Sequence, residues 1–332
     1  MSTGGAANVA GSVRAQGLAR RRLGAAARSV AVRPGLAPAL DALASTAYGR
    51  DVRPGQSLVE AQDAVAATLL WHLRVLAGWL PPGGAEPLRA AAGWFEIVNV
   101  DRRLRGLGGR PAGPAFELGA LATAWPRLAR MGTAAALRAE LATAGWCRGD
   151  PGTDRGAAVA MRLSWARRMA DVPGAEAWAA GGVALLVARE RWLAGSDVSP
   201  PVPLIGPAVG AASFAGFVAA LPARAAWPFA FVRRPPDLWL GESAWWRRLE
   251  ADGRALLRRG GFGPGPALGA AAVLAADAWR VRAALACAAD GGEPAAFDLI
   301  TMGDGVRSGQ PATPRSGRDD AAEWASNDRG PS

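Results

Sequence analysis

The sequence contains no lysine, one histidine, one tyrosine and two cysteines among its 332 residues. Without lysine, the chain lacks the phosphate-binding lysine of P-loop proteins and kinases, and it cannot form a Schiff base. The single histidine, His72, cannot build a metal site of several histidines. Cys147 and Cys287 form no Cys-x-x-Cys pair, so a structural zinc is not expected, and two isolated cysteines fit a reducing compartment. We therefore predict neither a metal nor a cofactor.

The remaining residues form no recognisable catalytic arrangement. His72 lies between Trp71 and Leu73 in a leucine-rich segment, which favours a core position, although a role as general base stays open. The stretch GGFGPGPALG (260–269) has no preceding strand and no following lysine, so it is interpreted as a connection between helices. The acidic residues are scattered along the chain. The sequence thus predicts no catalytic residue.

All of the positive charge comes from arginine, and the formal net charge is +10. Such a charge favours acidic partners, namely nucleic acid, anionic lipid or an acidic protein. The same arginine content, together with the abundant alanine, glycine and proline, is also typical of GC-rich coding, and both interpretations stay open. No acidic residue precedes Asp41, which predicts a basic amphipathic helix near the N-terminus. The charge-free stretch 198–223 is long enough to span a bilayer, but its five prolines argue against a spanning helix.

The apolar residues recur at helical spacing. Leu69, Leu73, Leu76 and Leu80 lie on one face of a helix, and alternating strand patterns are nearly absent. Alanine, leucine and arginine are good helix formers, so propensity and pattern agree. The predicted fold class is all-α.

The stretch GWFEIVNVDRRLRGLGG (93–109) is the most informative single segment. One predicted helix face is apolar and consists of Trp94, Ile97, Val100, Leu104 and Leu107. The opposite face carries Glu96, Asn99, Arg102 and Arg103, and it is interpreted as solvated. Asp101 precedes Arg105 by four residues, which suits an ion pair along the helix. The glycines that follow are predicted to end this helix.

Three segments share one layout, in which a proline or glycine break precedes an apolar helix with arginines. Leu104, Leu193 and Leu285 mark equivalent points, 89 and 92 residues apart. Each follows a break about twenty residues earlier, at Pro82, Pro173 and Pro264. We therefore predict helical repeats over residues 1–110, 111–200 and 201–300. The polar residues 301–332 are predicted to be a disordered tail.

Several of these residues resemble a known family, the central-stalk subunit of V-type and A-type ATPases that is called C in prokaryotes and d in eukaryotes. That family begins with an arginine-containing helix and a Thr-x-Tyr-Gly segment, which Arg14 and Tyr48 match here. Its most recognisable element is an aromatic-Asp-x-x-Asn-Leu sequence that runs into basic residues. The matching residues are Phe95, Glu96, Asn99, Val100, Arg102 and Arg105, with Glu in place of Asp and Val in place of Leu. Residues 278–285 resemble a later copy, and residues 189–193 a weaker one.

The resemblance implies a funnel-like protein of three pseudo-equivalent helical bundles. It implies no catalysis and no cofactor. The implied role is a rotor adaptor that seats the central stalk on the membrane proteolipid ring, on the cytoplasmic side of the plasma membrane, for ATP-linked proton or sodium transport. The alternative hypothesis is a basic helical protein that binds nucleic acid, and an enzyme centred on His72 is the third.

Overall fold

The computed structural model describes residues 3–81, 83–196, 198, 202–259 and 263–302. All regular secondary structure in these ranges is helical, which confirms the predicted all-α class. The predicted tail lies outside the described residues except for Thr301 and Met302, which are the last residues of a helix. The helices in chain order are α1 (Thr3–Ala19), α2 (Ala27–Ala31), α3 (Leu36–Ala44), α4 (Leu58–Ala77), α5 (Glu86–Leu107), α6 (Trp125–Leu128), α7 (Ala134–Thr143), α8 (Asp154–Ala170), α9 (Glu176–Trp192), α10 (Phe214–Ala220), α11 (Ala223–Ala226), α12 (Leu238–Arg259), α13 (Gly265–Ala289) and α14 (Pro294–Met302).

The helices form two compact units. Of the described residues, the terminal unit contains those up to Pro81 and those from Pro228 to 302, and the middle unit contains the intervening ones up to Trp227. The terminal unit therefore brings the first four helices together with α12, α13 and α14. The middle unit contains α5 to α11. The three sequence repeats are a different division of the chain, and they stay a prediction.

Helix α13 is the central element of the terminal unit. Its alanine, leucine and valine side chains are buried on all sides, as expected for a helix that other helices surround. Helices α1, α2, α4 and α12 all pack against it. Helix α4 starts with a capping box in which Ser57 and Glu60 exchange hydrogen bonds, and it buries Leu69, Leu73 and Leu76 as predicted. It ends at Ala77, so Leu80 lies beyond the helix.

Helices α12 and α13 are in close contact at two glycines. A Cβ atom built on Gly253 would lie 2.9 Å from the carbonyl oxygen of Gly269, and one built on Gly269 would lie 2.7 Å from the carbonyl oxygen of Gly253. Since backbone lines both sides of this contact, neither helix can accommodate a larger side chain without moving.

The core of the middle unit lies between α5, α7 and α8. It is built around Trp146, which is fully buried, and a set of aliphatic side chains. The buried members of this core are Ile97, Val100, Leu104, Ala124, Leu128, Leu137, Leu141, Trp146, Ala157 and Met161. The apolar face predicted for residues 94–107 therefore lies in this core.

The three leucines that mark the predicted repeats are not equivalent in burial. Leu104 and Leu285 are fully buried, whereas Leu193 is 49% exposed and follows the last residue of α9. Leu193 therefore has a different environment from the other two leucines, and their equivalence stays a prediction. Pro264 directly precedes α13, and Pro82 lies outside the described residues.

The charge-free stretch 198–223 does not form one long helix in its described part. It contains a 3-10 helix at Gly206–Gly210 and the short helix α10. Among the described helices, none is both long and apolar enough to cross a membrane.

The glycine contact gives a test of the packing in the terminal unit. We expect Gly253→Ala to lower the free energy of unfolding by about 1–3 kcal/mol, because the added methyl group would collide with backbone atoms. Gly17→Ala is the matched control, since a Cβ at Gly17 has no neighbour within 4 Å. It should raise stability by up to about 1 kcal/mol through helix propensity. Denaturant unfolding followed by circular dichroism measures both, and equal effects of the two variants would contradict this packing.

Candidate functional site

The residues that carry the family resemblance lie mostly on α5. Proline at the second position starts this helix favourably, and Gly108 and Gly109 follow its end, where Gly109 has a φ of 73°. The helix thus spans most of the stretch 93–109, as predicted.

Glu96 is fully buried, although its side of the helix was predicted to be solvated. Its carboxylate accepts hydrogen bonds from the backbone N–H groups of Thr123, Ala124 and Trp125, with distances of 3.0 Å from Ala124 and 3.1 Å from Trp125. The hydroxyl of Thr123 donates to the same carboxylate at 2.6 Å. Since Ala124 and Trp125 begin α6, the carboxylate caps that helix from another part of the chain.

Asn99 is fully buried as well and pairs with a single residue of an irregular segment. Its Nδ2 donates to the carbonyl oxygen of Phe116 at 2.9 Å, and the N–H of Phe116 donates to its Oδ1 at 2.6 Å. Phe95 packs edge-on against the ring of Phe116, with centroids 5.1 Å apart. The guanidinium of Arg102 lies 4.4 Å from the centroid of the Phe116 ring and donates a hydrogen bond to the carbonyl of Pro114.

These contacts hold the segment 114–125, which we call the wrapping segment, along the polar side of α5. The prediction of a solvated polar face is therefore wrong for Glu96 and Asn99. The physical reason is that the backbone of the wrapping segment is largely irregular and needs hydrogen-bond partners once it is buried. Polar side chains on α5 supply those partners.

The other polar residues of the stretch also have structural roles. Asp101 is buried and accepts a hydrogen bond at 3.2 Å from Arg162 of α8, whose guanidinium lies 5.8 Å from the ring centroid of Trp94. Val100 is fully buried in the core, and Arg105 is half-buried on the last turn. The predicted ion pair between Asp101 and Arg105 stays a prediction.

A second buried carboxylate occupies a similar position in the terminal unit. Asp277 of α13 accepts hydrogen bonds from the N–H groups of Leu23 at 2.8 Å and Gly24 at 2.6 Å. The hydroxyl of Tyr48 donates to it at 2.8 Å, and burial raises the pKa of Tyr48 well above its ordinary value, with a further contribution from the charge of Asp277. Arg280 lies one turn further along and donates to the buried Glu250 at 2.6 Å.

The structure thus assigns the predicted site residues to different places. Five of them, namely Phe95, Glu96, Asn99, Val100 and Arg102, surround the wrapping segment or the core beside it, whereas Tyr48 belongs to the Asp277 site. Arg14 is exposed on α1, with its guanidinium 5.6 Å from the ring centroid of Trp79. Sequence reasoning missed Asp277, although a signal was present: Asp277 precedes Leu285 by eight residues, as Glu96 precedes Leu104.

His72 is buried, with 5% of its surface exposed. Burial, and then the positive charges of Arg21 and Arg50, lower the pKa of His72 to about 4. The imidazole is therefore neutral at neutral pH. Among the described residues, no group of three or more histidine, cysteine, aspartate and glutamate side chains is arranged to hold a metal ion.

The Asn99 contact gives a test of the wrapping segment. We expect Asn99→Leu to lower the free energy of unfolding by about 2–4 kcal/mol, because the N–H and the carbonyl of Phe116 both lose their partner inside the protein. Gln16→Leu, on the exposed side of α1, is the matched control and should change stability by less than about 0.5 kcal/mol. An Asn99→Leu protein as stable as the control in urea unfolding would contradict the assignment.

His72 predicts a pH dependence of stability that can be isolated, because the chain has no other histidine. The His72 imidazole binds a proton near pH 6.5 in the unfolded chain but only near pH 4 in the folded chain. The free energy of unfolding that depends on the neutral imidazole is therefore fully present above pH 6.5 and is lost as the pH falls. Between pH 7 and pH 5, wild type should lose about 2 kcal/mol more than His72→Leu. Parallel stability curves for the two proteins would show that the pKa of His72 is not depressed.

Comparison with known proteins assigns no family and no function to the residues described above. No protein-family model and no curated protein sequence matches the chain.

Proposed function

We propose that the chain is a non-catalytic rotor adaptor of a V/A-type rotary ATPase. In this role it would couple the central stalk to the membrane proteolipid ring during ATP-linked proton or sodium transport. The proposal extends the resemblance carried by Phe95, Glu96, Asn99, Val100 and the arginines of α5.

The observation that carries this proposal is the correspondence between Glu96 and Asp277. Each is a fully buried carboxylate in the middle of a long helix, and each precedes a fully buried leucine by eight residues. Each accepts hydrogen bonds from the N-cap residue and the first residue of a short helix, α6 in one case and the 3-10 helix Gly24–Ala26 in the other. Two independent acids in the same role support an internal repeat.

The order of elements along the chain supports three copies of that repeat. Each copy would contain a short capped helix, a second short helix, a buried or half-buried aromatic residue and then two long helices. The aromatic residues are Tyr48, Trp146 and Trp227, and the pairs of long helices are α4 with α5, α8 with α9, and α12 with α13. Corresponding helices begin between 80 and 101 residues apart. Three such copies would correspond to the three pseudo-equivalent bundles that the family resemblance implies.

The proposed role is mechanical. An adaptor that transmits torque has to resist twisting, and close-packed helices with buried polar cross-links supply that stiffness. The contacts of Glu96, Asn99 and Asp277 each join segments distant in sequence, so they restrain the bundle against such deformation. The basic charge of the chain would favour a place beside the cytoplasmic leaflet of the membrane.

Co-purification tests the proposal directly. A tagged copy of the chain, expressed in its own host and solubilised in mild detergent, should recover the proteolipid ring together with stalk subunits. Deletion of the chain should leave ATP hydrolysis by the catalytic head while ATP-driven ion transport is lost. An intact ATPase, purified through another subunit from the same cells and lacking this chain, would rule the proposal out.

A further inference from the structure

The outer side of α1 forms a basic and apolar surface that the contacts described so far do not explain. Its buried side consists of Ala15, Leu18 and Ala19. The outer side carries Val13 and Arg14, and Arg20 and Arg21 continue it just past the end of the helix. Trp79 lies beside Arg14 and completes what we call the α1 surface, which consists of Val13, Arg14, Arg20, Arg21 and Trp79.

The apolar members of the α1 surface are unusually exposed for their type. Val13 is 67% exposed and Trp79 is 50% exposed. The guanidinium of Arg14 lies 5.6 Å from the centroid of the Trp79 ring, so the cation and the indole are presented together. An exposed valine on α1 and an exposed tryptophan in the turn after α4, both beside exposed arginine, favour a binding role over simple solvation.

The charge of the α1 surface is not balanced locally. The first 40 residues contain no acid, and the acids of α4, Glu60 and Asp63, lie in its first two turns, far along the helix from Trp79. Asp51, which like Arg21 influences the pKa of His72, is paired with Arg50. Among the described residues, no carboxylate forms an ion pair with Arg14, Arg20 or Arg21. Many other arginines, such as Arg162 and Arg280, are paired with acids.

We propose that the α1 surface binds the anionic surface of a lipid bilayer. Tryptophan prefers the interface between headgroups and hydrocarbon, and arginines on the same side of a helix are attracted to anionic headgroups. A nucleic-acid surface would present several exposed aromatic side chains between its arginines, whereas the α1 surface has one aromatic residue at one end. A protein interface would have its apolar residues at the centre and its charges at the rim.

This inference does not depend on the proposed adaptor role. The membrane contact involves the isolated chain and lipid, whereas the adaptor role requires the ring and the stalk. Vesicle binding can therefore fail while co-purification with the ring succeeds, and the reverse can also occur.

Vesicle co-sedimentation of the full chain tests the inference. We expect binding to vesicles of phosphatidylglycerol and phosphatidylcholine, weak binding to phosphatidylcholine alone, and release as salt is raised. Replacing the three arginines together (Arg14→Gln, Arg20→Gln, Arg21→Gln) should weaken binding about a hundredfold, since each arginine near such a surface contributes about 1 kcal/mol. Trp79→Ser should weaken binding several-fold and leave the salt dependence unchanged.

A matched variant separates the α1 surface from the general charge of the chain. Arg233→Gln, Arg258→Gln and Arg259→Gln remove the same charge from exposed positions elsewhere in the terminal unit and should leave binding nearly unchanged. Circular dichroism checks that both triple variants fold. Equal losses in the two triple variants, no preference for anionic lipid, or tighter binding to oligonucleotides than to vesicles at the same salt concentration would each overturn the inference.

Discussion

The hydrogen bonds between buried side chains of the long helices and irregular backbone are the contacts on which the rest of the structure depends. An irregular segment can be buried only if its N–H and C=O groups find partners. Glu96 and Asn99 provide these partners for the wrapping segment, and Asp277 provides them where α1 leads into the next helix. Because each of these side chains is itself buried, the segments they hold cover the helices and complete the two cores.

Because the chain has no lysine, arginine supplies the positive charges both inside the units and on their surfaces. Inside the units, arginine fits because its guanidinium can stack on a ring and donate several hydrogen bonds at once, as Arg102 does with Phe116 and Pro114. Arg162 and Arg280 are paired with the buried acids Asp101 and Glu250. The net positive charge is therefore not spread over one uniform basic surface. Composition explains why the cations are arginines, but only their positions separate structural arginines from those that face outward.

The sequence predicted the helices and the apolar side of α5 well, because both depend on local spacing. It failed for Glu96 and Asn99, because helical periodicity assigns polar residues to solvent unless a partner is known. Their partners lie 17 to 29 residues later, in a segment without any periodic pattern. The backbone partners of Asp277 lie more than 250 residues away, and Tyr48 lies 229 residues away. Such contacts depend on tertiary structure, and only the equal offset of the two acids from Leu104 and Leu285 was visible in the sequence.

The weakest copy of the proposed repeat can be explained by the same backbone requirement. Helix α9 has a leucine, Leu185, eight residues before Leu193, where a buried acid would be expected. The short 3-10 helix at Gly206–Gly210 does not need that acid, because the N–H groups of Ile205 and Gly206 both donate to the carbonyl oxygen of Val202 at 3.1 Å. Arg191 of α9 instead donates to the carbonyl oxygens of Val209 and Ala211. Because this local turn satisfies the start of the short helix, no carboxylate is needed at position 185 of α9. The buried acid of α9, Glu190, instead accepts hydrogen bonds from Arg155.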